Sequence, residues 1–337
     1  LGTNPYEYMM SSFKEVNFNT LNTSLALNQD LSVITKGLSL KALVNFKNWS
    51  ETSYTRSIKS NIYKVKDGSY NPETGEYDYQ LLQTGDQFLS QSGISRNSDQ
   101  TFYFDARLDW KRSFGDHNLT AMAMYMMREY RSDVLPNRNQ GYSGRVTYDY
   151  ASKYLVEFNF GYNGSERLAA GHRFEFFPAV SAGWGASSEK FWEPISKYIN
   201  HFKIRGSYGL VGSDAFASGA PHFLYQNNIG IGSAHNFWTG LPTSEISKKG
   251  PGFYVLAVQD AGWEHVKKFD IGFDMMLFNQ LNITFDYFHD KRERILMSRA
   301  SWPSMLGYWG SKPWSNIGEV ENQGFELSLN WTKQFGK

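Results

Sequence analysis

The residues with the greatest chemical reach lie in a tryptophan-rich stretch. Met297–Val320 reads MSRASWPSMLGYWGSKPWSNIGEV and carries Trp302, Tyr308, Trp309 and Trp314 beside Gly307 and Gly310. Aromatic faces on a loop suit stacking on a sugar ring or holding a peptide side chain. The same rings could instead pack on one another and stiffen the loop. A second stretch, Gly212–Glu264, holds His222, Tyr225, His235, Phe237 and Trp238. Its two histidines have no Asp or Glu at a ligand spacing, which makes a poor metal site. The run GHRFEFF at Gly171–Phe177 lacks the spacing of a phosphate loop, and Gly230-Ile231-Gly232 lacks the strand-to-helix context of a dinucleotide site. Cysteine is absent, so thiol chemistry and cysteine metal sites are excluded. No Ser/His/Asp or paired-carboxylate arrangement stands out. The expectation is a protein that binds rather than catalyses, with no metal and no cofactor, and with ligand or partner contacts at Trp302, Tyr308, Trp309, Trp314, Phe237 and Trp238.

The elements that must present these loops are strands. In GYSGRVTYDYASKYLVEFNFGYNGSE, Tyr142, Gly144, Val146, Tyr148 and Tyr150 share one face, with Arg145, Thr147 and Asp149 on the other. Tyr154, Val156, Phe158, Phe160 and Tyr162 then alternate with Glu157, Asn159 and Asn163. A period of two means β-strand, and the three residues Ala151–Lys153 predict a tight hairpin. Tyrosines sit at both ends of the apolar strip, as suits two bilayer interfaces. A tilted transmembrane strand needs about 9–11 residues, and these are that long.

Composition fits. Among 337 residues 17% are aromatic, and the net charge of +1 gives no electrostatic case for nucleic acid. No apolar run approaches the roughly 18 residues of a membrane helix. The N-terminus shows no signal peptide.

The same alternation predicts strands at Leu21–Leu27, Leu38–Phe46, Phe102–Trp110, Leu119–Tyr130, Phe176–Trp184, Phe202–Leu210, Phe269–Leu277, Leu281–Tyr287 and Phe325–Trp331. With the hairpin this makes about eleven. Their connections alternate in length. Ser32–Gly37, Gly115–Asn118, Ala151–Lys153 and Asn279–Gln280 are short; Trp192–Asn200 is longer, with Pro194 placed to start one helical turn. Trp49–Gln100, Arg131–Gln140, Ser165–Arg173, Gly212–Glu264 and Met297–Val320 are long. Alternation at Tyr54–Lys64 extends one hairpin past the membrane. All short turns therefore fall at one end and all long loops at the other. This is the plan of an outer-membrane barrel with short periplasmic turns and long extracellular loops. A Greek-key sandwich has no reason to segregate its loops.

The fold class is therefore all-β, an antiparallel transmembrane β-barrel segment. Its polar face carries Asp105, Arg107, Asp109, Lys111, Arg145, Asp149, Glu157, Lys268, Asp270, Asp274 and Glu326. These are expected to line the barrel lumen, and so many charges favour a large barrel. An odd strand count does not close a single-chain bacterial barrel, and an open edge in lipid leaves backbone groups unpaired. The 337 residues are thus expected to be part of a larger barrel.

The residues GRVTYDYASKYLVEFNFGYNGSE and HRFEFFPAVSAGWGASSEKFW resemble the barrel of SusC-like TonB-dependent transporters of the Bacteroidota. WEHVKKFDIGFDMMLFNQLNITFDYFHDKRERIL at Trp263–Leu296 matches too, as does Asn316-x-Gly318-x-x-x-Asn322-x-Gly324-x-Glu326. KGLSLKALVNF and FGDHNLTAMAMY are weaker matches. Leu168 followed by Ala-Ala-Gly departs from the family, where a bulkier Phe is common nearby. The resemblance implies a 22-stranded barrel of which these strands form the middle-to-late half, residues 1–337 being a partial barrel domain without the plug domain, TonB box and remaining strands. It implies active import of oligosaccharides or oligopeptides across the cell outer membrane. It also implies a SusD-like surface lipoprotein as lid, coupling to TonB–ExbB–ExbD through the plug, and a dimer of such pairs. A barrel scaffold for surface secretion or adhesion stays open beside this reading. An enzyme on a barrel anchor would need a catalytic constellation that the long loops do not offer.

Overall fold

The computed structural model describes residues 4–132, 134–216, 220–238, 247–299, 303, 305 and 313–333, with the backbone alone for 232–238 and 247–249. In chain order the elements are α1 (Pro5–Met10), β1 (Ser12–Asp30), β2 (Leu38–Ser57), β3 (Ile62–Val65), β4 (Tyr79–Gln83), β5 (Ser90–Gln91), β6 (Ser95–Phe114), β7 (His117–Arg131), β8 (Asn137–Tyr150), β9 (Tyr154–Ser165), β10 (Phe174–Trp184), β11 (Ile199–Ser213), β12 (Asn228–Trp238), β13 (Ser247–Val255), β14 (Glu264–Leu277), β15 (Leu281–Ser298) and β16 (Trp314–Trp331).

The chain divides into two compact units. The smaller comprises Leu1–Ser24, Asn45–Phe102 and Tyr130–Pro136. It holds α1, capped by Asn4 through a bond from the Tyr6 N–H, and the small β3–β4 hairpin. Within it Tyr54 donates to Glu15 at 2.6 Å, and Phe18 lies against Trp49.

The larger unit comprises Leu25–Val44, Tyr103–Glu129 and Asn137–Lys337. Its strands, with β1, β2 and β6 contributing Leu25–Asp30, Leu38–Val44 and Tyr103–Phe114, run in the order β1-β2-β6-β7-β8-β9-β10-β11-β14-β15-β16, eleven strands that match the eleven read from alternation. The short β5 pairs β2 within the smaller unit. The registers of β8 through β16 show why the alternation survives folding. Val146, Phe158, Val180, Tyr208, Phe269 and His289 are successive cross-strand partners. One row lower, Tyr148, Val156, Ala182, Gly206, Ile271, Tyr287 and Phe325 do the same. The period of two keeps each such row on one face.

That face is apolar and uncovered. Phe158 is 44% exposed, Val180 47%, Ile271 46% and Leu327 59%. A contiguous apolar surface of this extent is untenable in water but natural against hydrocarbon. Where glycine occurs on it, an aromatic ring takes the space. A Cβ at Gly144 would meet the Phe160 ring at 2.3 Å, and one at Gly164 the Phe174 ring at 2.4 Å. Above the apolar band the same positions turn charged. Lys267 and Lys291 both donate to Glu293, at 2.6 and 2.7 Å, and His289 bonds Glu321 at 2.6 Å.

The turns at the other end are tight. Ala151 and Ser152 both have positive φ, 51° and 58°, as a two-residue turn matched to strand twist requires. Phe278 and Asn279 repeat the arrangement at 54° and 56°. The Asp149 carboxylate accepts from the Ser152 N–H and so offsets part of the cost of a left-handed non-glycine residue.

Several connections carry more structure than their length alone implies. Two short 3-10 turns, Ala186–Ser188 and Lys190–Trp192, lead into Pro194, and a single helical turn follows it, the Ile199 N–H donating to the Ile195 carbonyl at 2.9 Å. In the stretch Trp49–Gln100 β2 continues to Ser57 and β6 begins at Ser95, in keeping with the alternation at Tyr54–Lys64. Gly212–Glu264 contains the β12–β13 hairpin, a two-stranded sheet of its own. Both hairpins are short or shifted in register, which blurs the alternation that would reveal them.

Candidate functional site

Two regions of the larger unit carry organised polar chemistry: the polar face of the sheet, and the long-loop end.

On the polar face the charges read from sequence pair with near neighbours. Arg107 donates to Asp109 at 3.0 Å, and Lys41 approaches the same carboxylate at 3.4 Å. Asp105 lies on this face of β6 by alternation. Asn118 donates to Asp149 at 3.0 Å. Arg145 donates to Asn159 at 2.8 Å, Asn159 donates to Glu157 at 2.6 Å, and Arg145 lies 3.7 Å from Glu157. Lys268 donates to Asp290 at 2.8 Å.

The densest arrangement centres on a residue that the alternation places on the polar face of its strand without singling it out. Arg205 reaches Asp286 at 2.7 Å, Asp274 at 3.2 Å and Asp270 at 3.6 Å. Thr284 donates to the other oxygen of Asp274 at 3.1 Å. Three carboxylates around one guanidinium leave net negative charge, partly screened by solvent. Glycine makes the geometry possible. Gly183 and Gly272 are the cross-strand partners of Arg205 on either side. A Cβ at Gly272 would lie 2.1 Å from the Asp286 carboxylate. The guanidinium therefore spans β14 to a carboxylate on β15. The signal in sequence is the glycine between Asp270 and Asp274.

Beside this cluster runs a groove lined by Thr147, Asp149, Glu157, Ser181, Lys203 and Arg205, among others. It follows β10, whose side chains on this face are small: Ala179, Ser181 and Gly183. Asp149 and Glu157 lie on one wall, and Lys203 and Arg205 on the other together with Asp270.

At the long-loop end, three connections and the top of β15 share a small core. Leu168, Phe177, Leu224, Ala261, Trp263 and Leu296 are buried together, with Leu210, Phe216, Val258 and Trp314 packed against them. Leu224 is wholly buried. The Trp263 indole donates to the Arg173 carbonyl at 3.0 Å, fastening the loop after β9 to the start of β14. Asn316 acts as a clasp. It donates to the carbonyls of Gly262 (3.0 Å) and Arg294 (2.7 Å), and its oxygen accepts from the Gly262 N–H at 3.0 Å. Arg294 sits at φ 60° where the β15–β16 register shifts. Gly318 and Gly324, two further residues of the asparagine-glycine motif, lie under Met297 and the Phe288 ring, where a Cβ would approach within 2.7 and 2.9 Å.

A polar girdle surrounds this core. Arg167 lies 4.0 Å over the Phe216 ring and donates to the Asp214 carbonyl at 3.2 Å. Asn139 donates to the Asp214 carboxylate at 2.9 Å. The Arg138 N–H donates to Glu166 at 2.9 Å. Burial lowers the pKa of Arg167. Burial, and then the nearby Arg167 charge, pushes the His222 imidazole below its ordinary value despite Glu166 at 3.8 Å.

Of the proposed contact residues, Trp302, Tyr308 and Trp309 lie outside the described residues. Phe237 and Trp238 are on β12, where the backbone alone is described. Trp314 opens β16 and packs against the buried cluster. Among the described residues no group of three or more His, Asp or Glu could hold a metal ion.

Comparison with known proteins gives a consistent picture. The family described as TonB dependent receptor-like, beta-barrel matches residues 2–336. TonB-dependent receptor P3 of Formosa agariphila is 32% identical over 188 residues, 56% of this chain and 17% of that protein. TonB-dependent receptor SusC of Bacteroides thetaiotaomicron is 23% identical over 301 residues, 85% of this chain and 26% of that protein. The RagAB peptide importer in its open-open state superimposes with a TM-score of 0.73 at 18% identity, covering 99% of this chain and 36% of that one. The chain thus spans about a quarter or less of these two curated relatives and about a third of the solved chain.

Proposed function

The chain belongs to the TonB-dependent receptor-like β-barrel family of the outer membrane, and from that premise we propose that it forms part of the wall of a SusC-like importer. The observation that carries this reading is the two-faced eleven-stranded sheet, apolar and bare on one side and densely charged on the other. The bare face meets lipid. The charged face, with Asp105, Arg107, Asp109, Arg145, Asp149, Glu157, Asp270 and Asp274, lines the lumen through which substrate passes.

On this reading a plug, a TonB box and the remaining strands are supplied by other parts of the full-length protein. Substrate is an oligosaccharide or oligopeptide. A peptide importer shares the fold. A SusD-like lipoprotein closes over the long loops, and TonB, driven through ExbB and ExbD, opens the path. The pair assembles as a dimer. No covalent chemistry is required. The loop aromatics Trp302, Tyr308 and Trp309, with Phe237 and Trp238, contact substrate or lid.

The test is uptake by cells carrying the full-length protein, using fluorescent oligopeptide and oligosaccharide mixtures. Expected is uptake of one class, abolished by a protonophore, with a lipoprotein co-purifying from the outer membrane. Trp302→Ala with Trp309→Ala should weaken uptake or lid binding. Uptake that persists without the proton gradient would remove the TonB-coupled reading.

A further inference from the structure

The longest of the short-end connections, 185–198, does not hang free below the sheet. It folds back against the apolar face. The Phe191 ring lies 6.2 Å from Trp184, and Trp192 stacks on Phe202 at 5.3 Å with 6° between planes. Trp184 and Phe202 both belong to the lipid-side face of β10 and β11. The Trp192 indole donates to the Ile199 carbonyl at 3.0 Å, fixing this arrangement. Tyr198 meets Phe278 of the neighbouring turn edge-on at 6.2 Å.

Packing consumes little of this apolar surface. Phe191 remains 61% exposed, Tyr198 57%, Phe278 58% and Ile195 41%. The patch continues the lipid-facing surface without a break at its short-turn edge. Its charges are sorted as well. Glu189 is held by Lys153 at 3.0 Å and Tyr154 at 2.7 Å, which neutralises it. Lys190 and Lys197 are exposed and make no ion pair among the described residues; Glu193 is exposed too.

We propose that the 185–198 turn, with Phe278, is an interfacial anchor seated in the periplasm-facing leaflet, its rings at the glycerol level and Lys190 and Lys197 on the phosphates of anionic phospholipids. Exposed aromatics contiguous with a hydrocarbon-facing surface fit the bilayer interface, where a ring keeps one edge wet. Lysines at that level gain from anionic head groups. The inference rests on the barrel reading.

The experiment uses the full-length receptor, cleared of other cysteines, in phosphatidylcholine–phosphatidylglycerol liposomes. Ile195→Cys, or Ser196→Cys if the first variant assembles poorly, carries an environment-sensitive fluorophore. Lipids carry nitroxide on the head group or deep in the acyl chain. Val180→Cys reports the wall and Ser207→Cys the lumen. The expected result is quenching of Ile195 by head-group nitroxide, of Val180 by acyl-chain nitroxide, and of Ser207 by neither. Nitroxide on phosphatidylglycerol should quench Ile195 about twofold more than the same nitroxide on phosphatidylcholine. Lys190→Glu with Lys197→Glu should erase that preference. An unquenched Val180 overturns the barrel reading itself. A quenched Val180 with an unquenched, water-exposed label on the turn overturns the anchor alone. Equal quenching by both lipids overturns the phosphate contact.

Discussion

Arg205 donates to Asp286 at 2.7 Å across Gly272, the residue paired with both. A long side chain crosses a whole strand because the intervening position has no Cβ. Gly272→Ala would place its methyl 2.1 Å from the Asp286 carboxylate and 2.4 Å from the Phe285 carbonyl. Overpacking of this kind typically costs about 1–3 kcal/mol. The expected outcome is a lower temperature for loss of the folded band in heat-modifiability gels.

Arg205→Ala leaves Asp270, Asp274 and Asp286 facing one another. Asp270 and Asp274 are about a third exposed and Asp286 about half that, so solvent and salt screen part of the repulsion. Barrel stability should fall modestly and recover in high salt. Salt-independent loss would mean that packing, not charge, is at stake.

Phe158→Lys and Arg107→Ala should behave in opposite ways. Phe158 lies mid-way along the lipid-facing face, where a lysine costs about 2–4 kcal/mol. Arg107 faces the other side and shares Asp109 with Lys41. Folded-barrel yield should drop for the first and hold for the second. Equal losses would refute the assignment of faces.

The small core at the long-loop end should come apart as a unit. Leu224→Ala removes a wholly buried side chain, a change that typically costs about 2–5 kcal/mol. Hydrogen exchange should accelerate together in 166–173, 220–227 and 256–263 while β9 to β11 stay protected. Exchange confined to 220–227 would show that the loops are independent. Asn316→Ala should loosen the Gly262 and Arg294 ends of the same core.

His222 makes that core sensitive to pH. Burial and Arg167 hold its folded pKa below the unfolded value of about 6.5. Below pH 6.5 the unfolded form therefore binds more protons, and stability declines as pH falls toward the folded value. Above pH 6.5 the contribution is complete and constant. Protection factors of 220–227, taken relative to the intrinsic exchange rate at each pH, should fall from pH 7 to pH 5, and His222→Gln should flatten the profile.

How far the sequence went can be judged from particular residues. Val146, Phe158 and Val180 were legible because one face meets lipid and the other water, so alternation is enforced along whole strands. The β3–β4 and β12–β13 hairpins were not, since neither is part of the two-faced sheet and short strands carry weak periodicity. Arg205 was visible as one more charge on a polar face. Its importance depends on register, which brings Gly183, Gly272 and Asp286 into line and is unreadable from one strand at a time. The Asn316-x-Gly318 motif was visible as a pattern, while its reason, the clasp on Gly262 and Arg294, needs the fold.

The apolar band on β15 runs only from Leu281 to Tyr287 before His289, Lys291 and Glu293 take over the same positions. At about 3.4 Å per residue that is roughly 20 Å of strand, less once tilted. The charged rim therefore works as a ruler. It suits a thin bilayer such as the bacterial outer membrane, and a thicker host would have to compress around it or leave lysine and glutamate in oil.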